Sequence, residues 1–433
     1  MKTIPIGLAG LGTVGTGVFQ HLAQNRALIG ERLGVEFEVR RIAVRDPGKP
    51  RDVAVPSGVI GSDPMQMLAD PEIRIVVELM GGTTQAREFV LEAIRRGKIV
   101  VTGNKALLAD HGEEIFGLAA ERKVPVLFEA AVAGGIPIIK SLREAFIGNH
   151  IQSIHAILNG TCNYILTRMT EAGLGFPEAL AEAQQLGYAE ADPTLDVSGW
   201  DAAHKAIILA SLAYGFWVRS AEVLVEGIGG VTAADIRFAE ALGYRIKHLA
   251  MIKADASGAI EVRLHPTLIP KSHVLASVNG PFNALAVRGD VVGETLFYGR
   301  GAGRSPTASS VIADLCEAAI LIESPRRFYG FVPHALYRAC KPQEEVVSEY
   351  YLRLSVLDRP GVLAQVAKVL GDHDIGISSV VQPESHDECD TPLVLMIHDA
   401  PLGQMRRALE GIAALACVKA RPVLFRVEGF QPS

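Results

Sequence analysis

Cysteine is scarce and scattered: the five at 162, 316, 340, 389 and 417 contain no CxxC pair and no pairing rhythm. Such an odd, unspaced set reads as reduced thiols in a cytosol, without a zinc framework or a disulfide scaffold. Positive charge is not in excess either. With 42 Lys+Arg against 48 Asp+Glu the formal charge is −6, so the chain lacks the basic surplus that neutralising nucleic-acid phosphates requires. Long apolar runs are missing as well, and the longest nearly apolar stretch, 206–218, is too short and mixed to span a bilayer. The opening MKTIPIGLAG passes straight into a strand pattern, without separate charged and apolar leader regions. Neither nucleic acid nor membrane is therefore expected as a partner, and the expected compartment is cytoplasmic.

What is there belongs to a globular chain. Hydrophobic residues make up 49% of the 433 and charged ones 21%, which allows large cores and excludes wholesale disorder. Residues 3–9, TIPIGLA, are a short apolar run that meets Gly10-Leu11-Gly12-Thr13-Val14-Gly15, after which Val14, Val18 and Leu22 recur at helical spacing. A glycine fingerprint between strand and helix is the pattern that binds a dinucleotide. Gly10 permits the tight turn, Gly12 lets the backbone approach a pyrophosphate, and Gly15 allows close helix–strand packing. Free N–H groups at the helix start, around Thr13 and Val14, offer the phosphates a partial positive charge.

The second strand is predicted over 36–44, ending at Val44 and followed by Arg45-Asp46. Arg45, with Lys49 and Arg51 behind it, suits the extra phosphate of NADP, whereas Asp46 suits the ribose hydroxyl of NAD. A solvated basic turn is the plainer alternative. The gap from Gly15 to this strand end is unusually long and implies an extended first helix or loop. Further strands are expected at 73–79, 98–102 and 125–128, with helices at 84–96 and 110–122. Repeated βα units argue for an open parallel sheet whose ligands lie beyond the carboxyl ends of its strands. Lys105 and Glu129 stand beyond two such ends.

Several blocks then resemble the homoserine dehydrogenase family: ELMGG at 78–82, TGNKA at 102–106, EAAVAGGIP at 129–137, LNGTCNYIL at 158–166, LGYAEADP at 186–193, DVSGWDAAHK at 196–205 and GAG at 301–303. The resemblance runs in order along essentially the whole chain. It implies reversible, NADP- or NAD-dependent interconversion of L-aspartate 4-semialdehyde and L-homoserine. The family's acid/base lysine falls on Lys205 and its second active-site lysine, near the nicotinamide, on Lys105. Substrate contacts fall on Glu190 and Asp201, with Asp196, Gly160 and Thr161 in the same blocks. A monovalent-cation site, usually sodium, maps to Glu129, Val132, Gly134 and Ile136, largely through backbone carbonyls. Further cofactor contacts map to Gly187 and Gly303. Cys162 departs from the Thr expected of many relatives.

The residues themselves permit this chemistry. Positions 200–213 read as a helix on which Asp201 and Lys205, four apart, share a face. Hydride delivered to an aldehyde carbon makes an alkoxide, and a positioned ammonium supplies both the proton and the countercharge. Glu190, in an acidic loop, is a natural partner for the substrate's α-ammonium. Spacing alone equally permits a surface ion pair at 201 and 205. It also permits Glu129 as a mere strand end, and hydrogen-bonded rather than metal-bound His155 and His204.

Segments 247–254, 259–264 and 284–288 look like strands of a sheet completing the substrate region, and 305–321 like a helix behind the second glycine-rich stretch. Residues 328–348 read as a polar linker. Beyond it, strand, helix, two strands, helix and strand follow in the βαββαβ order of ferredoxin-like modules. LDRPGVLA at 357–364 resembles the opening of an ACT domain. That resemblance implies an L-threonine effector near Asp358, Gly361 and Ile377, although the usual Asn is absent from Asp374-Ile375-Gly376-Ile377. A purely oligomerising module is the alternative.

The expected architecture is α/β. A nucleotide-binding Rossmann domain occupies 1–135, an α+β substrate and dimerisation domain 136–300, and a return segment 301–327. The linker is 328–348 and the ACT domain 349–428, in a homodimer or homotetramer. Two rivals remain: an acyl-enzyme semialdehyde dehydrogenase acting through Cys162, and a nucleotide-binding amino-acid sensor. Deleting 350–433 is expected to leave turnover intact and abolish threonine inhibition. Alcohol oxidation should strengthen with pH above neutrality, because the acid/base amine must be neutral to accept the proton and Asp201 hinders that state. A flat profile from about pH 7 to 10, with chemistry limiting, contradicts the assignment.

Overall fold

The structure is a computed structural model that describes residues 2–324, 330–382 and 391–430. Cys389, and the parts of the expected return segment, linker and ACT domain at 325–329 and 383–390, lie outside the described residues. The chain divides into two units, one made of 1–153, 204–220 and 285–338, the other of 154–203, 221–284 and 339–433.

In the first unit, β1 (Lys2–Ala9), β2 (Val35–Ala43), β3 (Ile60–Gly61), β4 (Ile75–Glu78), β5 (Ile99–Thr102) and β6 (Val126–Leu127) make one sheet. Every pair is parallel and the order is β3-β2-β1-β4-β5-β6, the Rossmann arrangement. β4 and β5 are buried at every position, as strands covered on both faces must be, so they read as continuous apolar runs. The long gap after the glycine turn holds two helices, Thr13–Gln24 and Arg26–Leu33, the second closed by Gly34 at φ 70°. The helix expected at 110–122 starts earlier, at Lys105. Asn104 is the reason: its Oδ1 accepts from Leu107 N at 3.1 Å and caps a first turn that apolar spacing does not reveal.

Helix Arg304–Glu323 is the one helix among the described residues long and apolar enough, by length and composition, to cross a membrane. Its Ala308, Val311, Leu315 and Ala318 pack into the same core as Ile6, Leu8, Val18 and Val77. Gly17 makes the approach feasible, since a Cβ there would lie 2.8 Å from the Arg304 carbonyl oxygen. The segment read as a polar linker contributes to a core as well. Phe331 is buried, with ring centroids 5.8 Å from Phe116 and 5.4 Å from Trp217.

The remaining strands are β7 (Ile151–Ile157), β8 (Leu224–Val225), β9 (Tyr244–Ala254), β10 (Ile260–Pro270), β11 (Phe282–Gly289), β12 (Gly293–Arg300), β13 (Val347–Val356), β14 (Ile377–Val381), β15 (Thr391–Pro401) and β16 (Val423–Val427). The second unit is built on a mixed sheet running β7-β9-β10-β16-β13-β15-β14, with β8 beside β10. The C-terminal four strands, with helices Val362–Asp372 and Leu402–Ala413, show the expected ferredoxin-like βαββαβ order and antiparallel pairing.

This C-terminal part is not a detachable appendix. β16 pairs with β10 at Thr267↔Arg426 and Leu268↔Val427. One face of its sheet, with Tyr351, Val394, Met396 and Phe425, shares a core with Ile165, Met169, Ile246 and Leu268. The other face, with Tyr350, Leu352, Leu354 and Leu395, packs on Val366, Leu370, Met405 and Ile412, the period-2 alternation of a strand covered on both sides. The expectation that 350–433 can be removed with turnover intact thus carries a structural cost. Deletion strips the sheet of a neighbour and opens a core.

A buried ion pair adds to the join. Asp235 sits in the capping box that begins helix Ala233–Ala241 and is wholly buried. Arg353 donates to it at 2.6 and 3.0 Å, and the Tyr351 hydroxyl at 3.0 Å. Asp235→Ala leaves that guanidinium without its partner and is expected to cost about 3–5 kcal/mol. The check is the urea midpoint, which should fall; an unchanged midpoint contradicts a stabilising pair.

Candidate active site

The glycine turn stands at the end of β1. Gly10 has φ 105°, and a Cβ there would lie 2.3 Å from the Leu79 carbonyl oxygen; on Gly15 it would lie 2.1 Å from that of Gly10. Gly12 is the opposite case, with nothing within 4 Å of the Cβ position. Its open side leaves the backbone accessible to a pyrophosphate. Helix Thr13–Gln24 starts here without a side-chain cap, so the leading N–H groups of Thr13, Val14 and Gly15, which have no partner within a helix, suit an anion. A cavity of about 610 Å³ lies over the turn, with Gly10, Gly12, Val44, Arg45 and Asp46 in its wall. The fit to a dinucleotide is good.

The basic loop separates by role. Asp46 is turned into its own loop, where Oδ1 accepts from Gly48 N at 2.9 Å. Arg51 folds back to donate to the carbonyls of Asp46, Pro47 and Lys49. Arg45 and Lys49 are exposed at the cavity wall.

Lys105 is the first residue of its helix and half-buried. Its backbone is fixed by a network that the sequence reading did not assign. Glu78, fully buried at the end of β4, accepts from Thr102 Oγ1 at 2.7 Å, Met80 N at 2.8 Å and Asn104 Nδ2 at 3.5 Å. Burial pushes its carboxyl up, while the donors around it pull it down. Asn104 also donates to Gly82 O at 2.8 Å. The ends of β4 and β5 and the helix bearing Lys105 are thereby tied together. A signal was present in the sequence: an Asn immediately before a helix is a cap.

The expected cation loop is compact. Ala133 and Gly134 are both left-handed, at φ 54° and 56°, and the Gly134 carbonyl accepts from Ser310 Oγ at 2.6 Å. The carbonyls of Glu129 and Ile136 accept from Val132 N at 3.4 Å and Ile138 N at 2.8 Å. A carbonyl has a second lone pair, so these bonds leave room for a cation. The Glu129 side chain is committed elsewhere, accepting from Ile139 N and Lys140 N at 2.9 and 2.8 Å. Asp314, whose carboxyl is driven well up by burial and by the Glu129 charge, accepts from Glu129 N at 2.8 Å. Among the described residues no group of three or more His, Cys, Asp or Glu could hold a metal ion. Gly303, at φ 123°, is the residue from which helix Arg304–Glu323 starts.

In the second unit the LNGTCNYIL block begins helix Gly160–Ala172. Asn159 is its cap, with Oδ1 accepting from Cys162 N at 2.7 Å. The same amide donates from Nδ2 to Asp196 Oδ1 at 2.7 Å and to Asp201 Oδ2 at 2.8 Å. Two of the expected substrate contacts are thus brought together by a residue not singled out from sequence. Thr161 donates to Tyr188 O at 2.6 Å, and a Cβ on Gly160 would lie 2.9 Å from the Pro281 carbonyl oxygen. Cys162 is fully buried and its thiol lies 3.2 Å from Asp196 O. Gly187, at φ 74°, and Glu190 are exposed on the loop.

Asp201 and Lys205 occupy the first two turns of helix Trp200–Tyr214 and are 7% and 8% exposed. The surface-pair alternative is excluded by that burial. In the C-terminal part, Gly361 at φ 87° precedes helix Val362–Asp372, Asp358 accepts from Gln382 Nε2 at 3.3 Å, and half-buried Ile377 opens β14.

Comparison with known proteins gives one result throughout. Residues 137–316 match the family described as homoserine dehydrogenase, residues 10–129 its NAD binding domain, and residues 350–415 the ACT domain. A homoserine dehydrogenase of Pseudomonas aeruginosa is 47% identical over 99% of both chains, and one of Neisseria gonorrhoeae 44% identical over 99% of both. The crystal structure of a homoserine dehydrogenase from Thiobacillus denitrificans superposes with a TM-score of 0.93 at 45% identity, covering 99% of each chain. Glycine cradle, ferredoxin-like C-terminus and full-length relatives agree: the chain belongs to the homoserine dehydrogenase family, with an NAD-binding domain and a C-terminal ACT domain.

Proposed function

We propose that the protein interconverts L-aspartate 4-semialdehyde and L-homoserine reversibly, with NADP or NAD as hydride carrier. The observation that carries this reading is a buried Lys205, one helical turn after a buried Asp201 that Asn159 holds beside Asp196. A bound nicotinamide supplies or takes the hydride. The chain's own residues do the rest. Lys205 gives its proton to the carbonyl oxygen as hydride arrives and takes it back during alcohol oxidation. Lys105, held by the Glu78–Asn104 network, adds positive charge near the nicotinamide. Glu190 receives the substrate's α-ammonium, and Asp201, Asp196, Gly160 and Thr161 complete the substrate contacts.

The cofactor is held by Gly10, Gly12, Thr13, Val14 and Gly15 at the phosphates and by Val44 and Arg45 at the ribose, with Gly187 and Gly303 completing the contact. Exposed Arg45 and Lys49, against an Asp46 engaged in its own loop, favour NADP over NAD. A hyperthermophilic archaeal homoserine dehydrogenase solved in complex with NADPH supports the same choice, at 29% identity and a TM-score of 0.62 over 73% of this chain. Backbone carbonyls of Glu129, Val132, Gly134 and Ile136 are assigned to a sodium ion. The ACT domain, around Asp358, Gly361 and Ile377, is assigned to L-threonine, in a cytoplasmic homodimer or homotetramer. Cys162 is no nucleophile in this reading, and its buried thiol donates to the backbone carbonyl of Asp196.

The test is absorbance of reduced nicotinamide with L-homoserine and each cofactor, with and without L-threonine. Homoserine oxidation with NADP is expected; its absence with both cofactors overturns the reading. Lys205→Met should lose about two to four decades of kcat with cofactor affinity retained, whereas a nucleotide-binding sensor would be indifferent to the change. Arg45→Ala should raise KM for NADP and leave KM for NAD nearly unchanged, and an equal effect on both contradicts a phosphate contact. Cys162→Ser should keep activity.

A further inference from the structure

We infer that Trp217 is the positioning residue that holds the helix of Lys105 and the helix of Lys205 in one fixed relation, by seating its indole in the slot left by Gly112. The inference rests on the reading above, in which both lysines serve the reaction. Helix Lys105–Arg122 carries Gly112 in its third turn, where glycine weakens a helix relative to alanine. The reason for it is tertiary. A Cβ on Gly112 would lie 1.9 Å from Cζ2 of Trp217, so the indole rests directly on the helix backbone. Its Nε1 donates to the Ala109 carbonyl at 3.3 Å, one turn beyond Lys105. The rings of Phe116 and Phe331 close against the indole, with centroids 5.3 and 5.4 Å away.

The other end of the connection is equally firm. Ser211, fully buried on the helix of Lys205, takes a bond from the chain on either side of Trp217. Its carbonyl accepts from Gly215 N at 2.9 Å, and its hydroxyl from Val218 N at 2.9 Å. Gly215, at φ 76°, makes the turn between them. From Lys205 to Ser211 the helix covers about 9 Å. Residues 206–210 along that stretch are each 0% exposed, and close packing on all sides leaves them no room to bend or slide. A displacement of the indole is therefore carried to Lys205, and the slot at Gly112 sets where that lysine stands relative to Lys105.

Trp217 acts through the two helices and takes no part in hydride or proton transfer. The experiment is a double-mutant cycle on homoserine oxidation by the full-length protein, using Trp217→Phe in the wild type and in Lys105→Met. Single-turnover rates with enzyme in excess keep slow variants measurable. Trp217→Phe keeps an apolar ring but loses the N–H and the part of the indole that fills the slot. In the wild type it should lower the rate about ten- to a hundredfold, as a misplacement far from the chemistry does. KM for the cofactor should change far less, because the glycine turn at Gly10 to Gly15 is untouched. In Lys105→Met the same substitution should cost about twofold or less, since no second amine is left to place. Gly112→Ala, which drives the indole from its slot, should repeat this pattern and serves if Trp217→Phe fails to fold. Equal losses in both backgrounds assign Trp217 to stability alone and overturn the inference, as does a wild-type rate in both variants. Wild-type protein that does not oxidise homoserine overturns the reading beneath it instead.

Discussion

A buried carboxamide offers one acceptor and two donors, and each must find a partner or cost the fold free energy. Each of the two units uses this constraint at the start of a helix. Asn104 caps the helix that begins at Lys105 while its NH₂ binds Gly82 and Glu78. Asn159 caps the helix that begins at Gly160 while its NH₂ binds Asp196 and Asp201. In both, satisfying the cap leaves the amide one orientation, and that orientation places a charged group. Loops that would otherwise sample many conformations are set by a hydrogen-bond count.

Rigid scaffolding elsewhere serves the same end. Parallel strands buried on both faces leave their carboxyl ends as the one place where polar loops can gather. The glycines there divide their work by geometry: Gly10 and Gly15 have no room for a Cβ, whereas Gly12 has open space and a ligand to admit. At the C-terminus, pairing of β10 with β16 and the Asp235–Arg353 pair build the ACT fold into the mixed sheet of the second unit. A change of strand position in that module would be felt directly by its neighbour.

Much of this was legible in the sequence. Periodicity and glycine spacing disclosed the parallel sheet, and the βαββαβ order of the C-terminus followed from alternation of apolar residues. The family blocks named Lys105, Lys205, Asp201 and Glu190. What stayed hidden depended on groups distant in the chain. Asn159 stood unassigned within a family block, since nothing local shows that it reaches positions 196 and 201. Glu78 stood unremarked inside the strand expected at 73–79, since two of its donors come from Thr102 and Asn104. Phe331 sat in a stretch read as polar linker because its aromatic neighbours, Phe116 and Trp217, are more than a hundred residues away. The join of the C-terminal module to β10 was hidden for a related reason: β10 and β16 are separated by nearly the whole module that they join.

The central claim is direct transfer of hydride from the alcohol carbon of homoserine to a nicotinamide, with this chain providing the acid/base lysine. Label transfer tests it most directly. L-homoserine carrying deuterium at C4, incubated with the protein and NADP or NAD, should give reduced nicotinamide with one deuterium at its own C4, seen by mass spectrometry or NMR. Reduced cofactor without deuterium, or no reduction with either cofactor, would contradict it.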